Sequence, residues 1–167
     1  VTPTTPQQRQ PHPVSAPAAA GRVIVLAVPS KAIVTPRRVF RGDSRPPATI
    51  FESGFRVRAD STNTDIKEYG LRNVPSPWIG CTVRADLASG FPGRARGSTW
   101  IYEIEAPGRG IDVNRTLGYG YAFRAEREII FPYDIPARRI VRAVWWSWGT
   151  PTDRVVANPV YRTPSVC

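Results

Sequence analysis

Hydrophobic and polar positions alternate over short stretches of this chain, a pattern that predicts strands more than long helices. Thr99-Trp100-Ile101-Tyr102-Glu103-Ile104-Glu105 has the aromatic and β-branched content of a strong strand. Arg38 to Asp43, Trp78 to Val83 and Ile140 to Trp148 read as further strands. Pro47 to Gly54 predicts a two-turn helix, with proline at its start, Ile50 and Phe51 on its buried side and Gly54 as its cap. Thr64 to Gly70 predicts another, with Asp65 near its start and Gly70 ending it, and a short helix is expected near Ala85 to Ser89. Residues 106–125 read as a long loop rich in Gly and Tyr, and loops of that length are often functional. The stretch after Gly149 reads as irregular, and no internal repeat is visible.

One stretch concentrates charge. Ala125-Glu126-Arg127-Glu128-Ile129-Ile130-Phe131-Pro132 sets two carboxylates one residue apart before an apolar run. On a strand, Glu126 and Glu128 project from one face and Arg127 from the other. Like charges so placed repel and raise the pKa of one carboxyl unless a cation sits between them. Taken alone, the fragment reads first as an edge strand with a solvated Glu-Arg-Glu face.

Composition bounds the fold. At 167 residues the chain suits one domain. A hydrophobic content of 41% argues against overall disorder, and 18 Pro with 13 Gly favour loops and short strands over a helical bundle. Residues 1–36 contain no acidic residue, and Val1 to Gly21 is Pro-, Thr-, Gln- and Ala-rich, so this part reads as a disordered leader or linker with a candidate edge strand over 22–28. The folded unit is expected over 37–167. Without an initiator Met, the chain reads as a processed or excised portion.

The net charge of +10 rests almost wholly on arginine, since Lys31 and Lys67 are the only lysines. Arginine favours bidentate contact with phosphate or carboxylate, so an anionic partner is expected, whether nucleotide, nucleic acid or membrane. A coding bias toward arginine gives the same composition, and charge alone names no partner. Cys81 and Cys167 make no disulfide framework, and with His12 as the lone histidine no zinc site is expected. No apolar run approaches the roughly 20 residues of a membrane helix.

Four segments stand in a particular order: Arg41-Gly42-Asp43-Ser44-Arg45-Pro46-Pro47, then Gly80-Cys81-Thr82, then Ile101-Tyr102-Glu103-Ile104, then Glu126-Arg127-Glu128. Asp112-Val113-Asn114 ahead of Leu117-Gly118, and Ile135-Pro136 behind the glutamates, extend the set. Together they resemble the cholera and pertussis branch of mono-ADP-ribosylating toxins, over roughly Val39 to Val144. The resemblance implies an α+β ADP-ribosyltransferase-like fold, with two small perpendicular β-sheets forming an NAD cleft and short flanking helices. It also implies an enzyme that expels nicotinamide from NAD and passes on ADP-ribose, with no metal.

By the same resemblance Glu128 would stabilise the oxocarbenium-like ribose, as a fixed carboxylate does in glycoside hydrolysis. Glu126 would orient and deprotonate an acceptor arginine, because a glutamine at that position is typical of members that modify asparagine, cysteine or guanine. Arg41 would hold NAD phosphate or ribose; its alternative is a loop ion pair with Asp43. Gly42, Asp43, Arg45, Gly80, Cys81 and Thr82 complete the expected cofactor-binding set, with Asp43 and Arg45 supporting the loop. The family usually has Ser-Thr-Ser where this chain has Gly80-Cys81-Thr82, so the hydroxyl that steadies the catalytic glutamate is missing. Tyr119, Tyr121, Phe123 and Arg124 lie where acceptors are recognised, with Tyr121 or Phe123 expected as the exposed aromatic; covering the core is the other reading.

The leading expectation is a toxin, secreted or delivered into a host cell, that modifies an arginine of a host protein, with Cys167 as a candidate disulfide to a delivery subunit. Transfer to a nucleic-acid base, favoured by the charge and disfavoured by Glu126, is the second. A basic binding module with little turnover is the third, and NAD hydrolysis as the main activity the fourth.

Overall fold

The alternating stretches do form strands. The computed structural model describes residues 28–58, 63–72, 74–90 and 97–162. In chain order these hold β1 (Ile33–Val34), β2 (Arg38–Asp43), α1 (Pro47–Ser53), α2 (Ile66–Arg72), β3 (Ile79–Thr82), α3 (Ala85–Ala88), β4 (Ser98–Glu105), β5 (Gly110–Asp112), α4 (Val113–Leu117), β6 (Glu128–Phe131), β7 (Ile140–Ser147) and β8 (Thr150–Ala157). The class is α+β, as expected.

All strands pair antiparallel in the order β1-β5-β6-β3-β2-β4-β7-β8. The join at the centre is slight. Strands β2 and β3 share one register pair, Phe40↔Thr82, whereas β2 and β4 stay paired from Arg38↔Glu105 to Asp43↔Trp100. The two small sheets expected from the resemblance are therefore two four-stranded halves meeting at one seam.

Strand β3 is buried on both faces, which is why it carries no polar alternation. Ile79 and Cys81 join the largest core cluster with Val39, Phe55, Tyr102, Phe131 and Ile140. A second cluster, of Ala32, Ile66, Trp78, Ile111, Val113, Tyr121 and Ile130, lies under α2 and α4. Burial of these side chains is the main stabilising term of the fold. Helix α1 ends as its sequence predicts: Gly54 adopts φ +69 and its N–H donates to the Ile50 carbonyl at 2.9 Å. A Cβ there would lie 2.3 Å from the Ile135 carbonyl oxygen, so only glycine fits.

Several boundaries differ from the sequence reading. The ordered part includes residues assigned to the leader: Ala32 is fully buried and β1 pairs with β5. The candidate strand over 22–28 lies, except for Val28, outside the described residues. Helix α2 starts where Asp65 accepts from the Lys67 and Glu68 amides, but it runs through Gly70 to Arg72. Gly70 is there for clearance, since a Cβ would meet the Tyr121 ring at 3.1 Å. The long loop over 106–125 contains β5, α4 and the start of a 3-10 turn. The stretch after Gly149 is not irregular but forms β8. Trp148 and Gly149, at φ 51 and 81, make a two-residue turn of the primed type between the paired Ser147 and Thr150. Pro151 is tolerated because β8 is an edge strand.

Candidate active site

At the seam, side chains replace the lapsed ladder. Beyond Phe40↔Thr82 the backbones of β2 and β3 no longer pair, and the Arg41 guanidinium (Nη1) donates to the Gly80 carbonyl at 2.6 Å. Beside it opens a cleft of about 370 Å³ lined by Arg41, Gly42, Arg58, Tyr69, Trp78, Gly80, Tyr121, Phe123, Glu126 and Glu128, among others. Residues far apart in sequence thus meet in one place: Arg41 from one half of the sheet, Glu128 from the other.

Glu128 opens β6, opposite Thr82 and one diagonal step from Gly80. Its side chain is 3% exposed. Burial pushes its pKa up to about 7; the Tyr69 hydrogen bond and the Arg41 charge pull it down, while Glu126 adds to the rise. A carboxyl poised near neutrality in a cleft has the character of a functional group. Its partner is the Tyr69 hydroxyl on α2, which donates to Oε1 at 2.5 Å. The missing serine-type hydroxyl at Gly80 is therefore matched by a phenol. A Cβ on Gly80 would lie 2.4 Å from Glu128 Oε1 and 2.6 Å from the Tyr69 oxygen.

Glu126 does not sit beside Glu128 on a strand. It closes a 3-10 turn, Arg124–Glu126, and Arg127 follows at φ 48, ψ 47 before β6 begins. The left-handed residue breaks the two-residue alternation on which the sequence reading relied. Both carboxylates nevertheless line the cleft. Burial raises the Glu126 pKa, so it too holds a proton more readily than an ordinary glutamate.

Asp43 and Arg45 lie away from the cleft lining and hold each other. Arg45 Nε and Nη2 donate to the two Asp43 carboxylate oxygens at 2.9 and 2.8 Å, and the Arg45 amide donates at 3.0 Å. Burial pushes the Asp43 carboxyl up, but these bonds and the Arg41 and Arg45 charges outweigh it and leave the pKa below its ordinary value. Tyr102 fixes the loop by donating its hydroxyl to the Arg45 carbonyl at 2.6 Å. The pair braces the loop after Arg41, whose Nε lies 3.8 Å from Asp43.

Other expected residues also fall outside. Cys81 faces the core, where burial raises its thiol to about 12, and Thr82 is fully buried, its hydroxyl accepting from the Arg84 amide. Arg124 donates to the Gly118 carbonyl, stacks on Tyr119 and lines a separate cavity. Of the two candidate aromatics, Phe123 is the open one at 44% exposure, and Tyr121 is buried at 5% with its hydroxyl donated to the Gly70 carbonyl. Tyr119 is 95% exposed and does not line the cleft. Tyr69 and Arg58 are among the lining residues that the sequence reading missed. Cys167 lies outside the described residues.

Among the described residues no group of three His, Cys, Asp or Glu is placed to hold a metal ion. No described helix is long and apolar enough to cross a membrane.

The sequence profile of the Scabin-like family matches residues 39–161. A Guanine-specific ADP-ribosyl transferase of Streptomyces coelicolor is 34% identical over 104 residues, which is 62% of this chain and 48% of that protein. The chain thus spans about half the length of that relative. The solved structure of Scabin toxin from Streptomyces scabies in complex with NADH is 31% identical, with a TM-score of 0.67 over 75% of this chain and 76% of that one. A Guanine-specific ADP-ribosyltransferase solved with NADH and GDP is 29% identical, with a TM-score of 0.68 over 78% and 81%. The fold is thus the ADP-ribosyltransferase fold of these proteins. Resemblance to ADP-ribosylating toxins holds at this level, and the finer cholera and pertussis branch is not what the comparisons return.

Proposed function

This chain belongs to the Scabin-like family, and on that premise we propose that it is an NAD-consuming mono-ADP-ribosyltransferase whose acceptor is a guanine base. The observation that carries the reading is the meeting of Glu128, Glu126 and Arg41 around one cleft with an open aromatic, Phe123, in its lining. Similarity to relatives named for guanine specificity, one of them solved with NADH and GDP, supports guanine over the arginine first expected.

The chemistry follows from the residues. NAD lies in the cleft with a phosphate or ribose oxygen on the Arg41 guanidinium, a planar donor suited to such oxygens. Cleavage of the N-glycosidic bond leaves its electron pair on nicotinamide, which departs neutral, and positive charge develops on the ribose. The ionised Glu128 carboxylate stabilises that charge more in the transition state than in the ground state. Because its pKa is about 7, nicotinamide release rises with pH through neutrality. Guanine enters against Phe123, its exocyclic amine donating to an oxygen of Glu126 that orients it; the amine nitrogen bonds to the ribose carbon and its proton leaves to solvent. The products are ADP-ribosyl guanine, nicotinamide and one proton. Scabin is named a toxin, and we read this chain likewise as acting on another cell's nucleotides or nucleic acid, toward which its charge of +10 draws it.

A second reading keeps arginine as acceptor, and Glu126 favours it. A guanidinium must lose a proton before it attacks, which a carboxylate accomplishes and an amide does not. Incubation with labelled NAD and, in parallel, GDP, duplex DNA and an arginine-rich protein separates the two. Label in GDP or DNA supports guanine transfer; label confined to protein arginine overturns it. Nicotinamide release that no acceptor accelerates marks hydrolysis instead.

A further inference from the structure

We propose that Tyr69 is the positioning residue of the active site, its hydroxyl reaching from α2 into the space that Gly80 leaves open and fixing the Glu128 carboxylate. The inference rests on the reading above that Glu128 stabilises the ribose cation. Three observations carry it. Among the described residues, the Tyr69 hydroxyl is the one side-chain donor bonded to Glu128, at 2.5 Å. The other candidates are engaged elsewhere or hidden: Thr82 Oγ1 accepts from Arg84, Arg41 Nη1 is given to the Gly80 carbonyl, and the Trp78 indole nitrogen is buried without a partner. The last observation is steric. A Cβ built on Gly80 would fall 2.4 Å from Glu128 Oε1 and 2.6 Å from the Tyr69 oxygen. A side chain at position 80 and the phenol of Tyr69 therefore compete for one volume beside the carboxylate, and the sequence has resolved the competition in favour of the phenol.

The arrangement differs physically from a hydroxyl on the strand itself. A donor on β3 is held by the same ladder that holds Glu128, through Gly80↔Ile130 and Thr82↔Glu128. Tyr69 sits on a two-turn helix packed against the second core cluster. The orientation of Glu128 then depends on how α2 is docked, through Ile66 and the Gly70–Tyr121 contact. Burial and the neighbouring Glu128 charge raise the Tyr69 pKa well above that of an ordinary tyrosine, so the phenol stays a donor throughout the working range.

The test compares the full chain with Tyr69→Phe, Gly80→Ser and the double variant, by nicotinamide release across pH and by NMR titration of the Glu128 carboxyl. Phe keeps the ring that packs on the core and removes only the donor. Tyr69→Phe is expected to lower kcat at pH 7 by about tenfold or more, leave the KM for NAD within about twofold and move the rising limb to higher pH, because a bond to the charged form is lost. Gly80→Ser is expected to impair the chain with Tyr69 present, and in the double variant to restore part of the activity lost in Tyr69→Phe, since a serine hydroxyl then takes up the vacated space. Unchanged kcat, limb and Glu128 titration in Tyr69→Phe overturns the proposal, as does a double variant no better than the single. If the unaltered chain releases no nicotinamide, the enzymatic reading fails on its own; the titration still decides whether Tyr69 holds Glu128.

Discussion

Replacing Glu128 by glutamine should make the protein more stable while destroying its activity. Burial lifts the Glu128 pKa from its ordinary 4.5 to about 7, a displacement of about 2.5 pH units. Each unit corresponds to about 1.4 kcal/mol of preference for the protonated form, so keeping this carboxylate ionised in the folded state costs about 3 kcal/mol. Below pH 4.5 the group is protonated in both folded and unfolded chains, and the cost vanishes. Between 4.5 and about 7 the unfolded chain ionises first, so stability falls as pH rises, and above about 7 the loss is complete. Glutamine removes the charge and keeps an oxygen for the Tyr69 hydroxyl. Its amide nitrogen lacks an assigned acceptor, so about 3 kcal/mol is an upper figure. Thermal denaturation at pH 4 and pH 8.5 reads the effect. Glu128→Gln is expected to match the unaltered chain at pH 4 and exceed it at pH 8.5, by as much as about 6 to 12 °C in Tm for a chain of this size. Equal stability at pH 8.5, or an equal gain at both pH values, would refute the reasoning. The cost is the familiar one of a site kept ready for chemistry.

Other outcomes follow from the same geometry. Glu126→Gln should leave transfer to GDP within about tenfold, since an amide oxygen still accepts from the exocyclic amine, and should abolish any transfer to arginine; lost GDP labelling refutes the assignment. Phe123→Ala should raise the KM for GDP by about fivefold or more, because base stacking contributes about 1–3 kcal/mol. Arg41→Lys should lower kcat/KM for NAD by about tenfold or more, as a lysine cannot hold the Gly80 carbonyl and a substrate oxygen in one plane. Gly54→Ala should cost at least about 2 kcal/mol in urea with an unchanged m-value, given its φ of +69 and the Ile135 carbonyl 2.3 Å from the added carbon.

Local rules recovered much of this architecture. Pro47 and Gly54 bracket α1 because each acts through its own backbone, and the aromatic alternation of residues 99–105 is β4. The convergence of Arg41 and Glu128 was legible only through an ordered set of motifs, since nothing local ties β2 to β6. Three features escaped for identifiable reasons. Strand β8 hides behind a proline and a polar run, permitted because it pairs on one side only. The turn at Glu126 escaped because a non-glycine residue at positive φ, Arg127, cannot be read from residue type. Tyr69 was missed because its partner is 59 residues away; the one signal was indirect, a glycine where a hydroxyl was wanted.

The seam between the halves of the sheet has a mechanical meaning. One ladder pair and one guanidinium-to-carbonyl bond span it, and the cation and the acid that would grip a dinucleotide stand on opposite banks. Spreading the seam therefore pulls the reactive groups apart, and a bound dinucleotide acts as a rivet across it. Occupancy should slow amide hydrogen exchange in β2 and β3, the two strands that meet across the seam at one register pair.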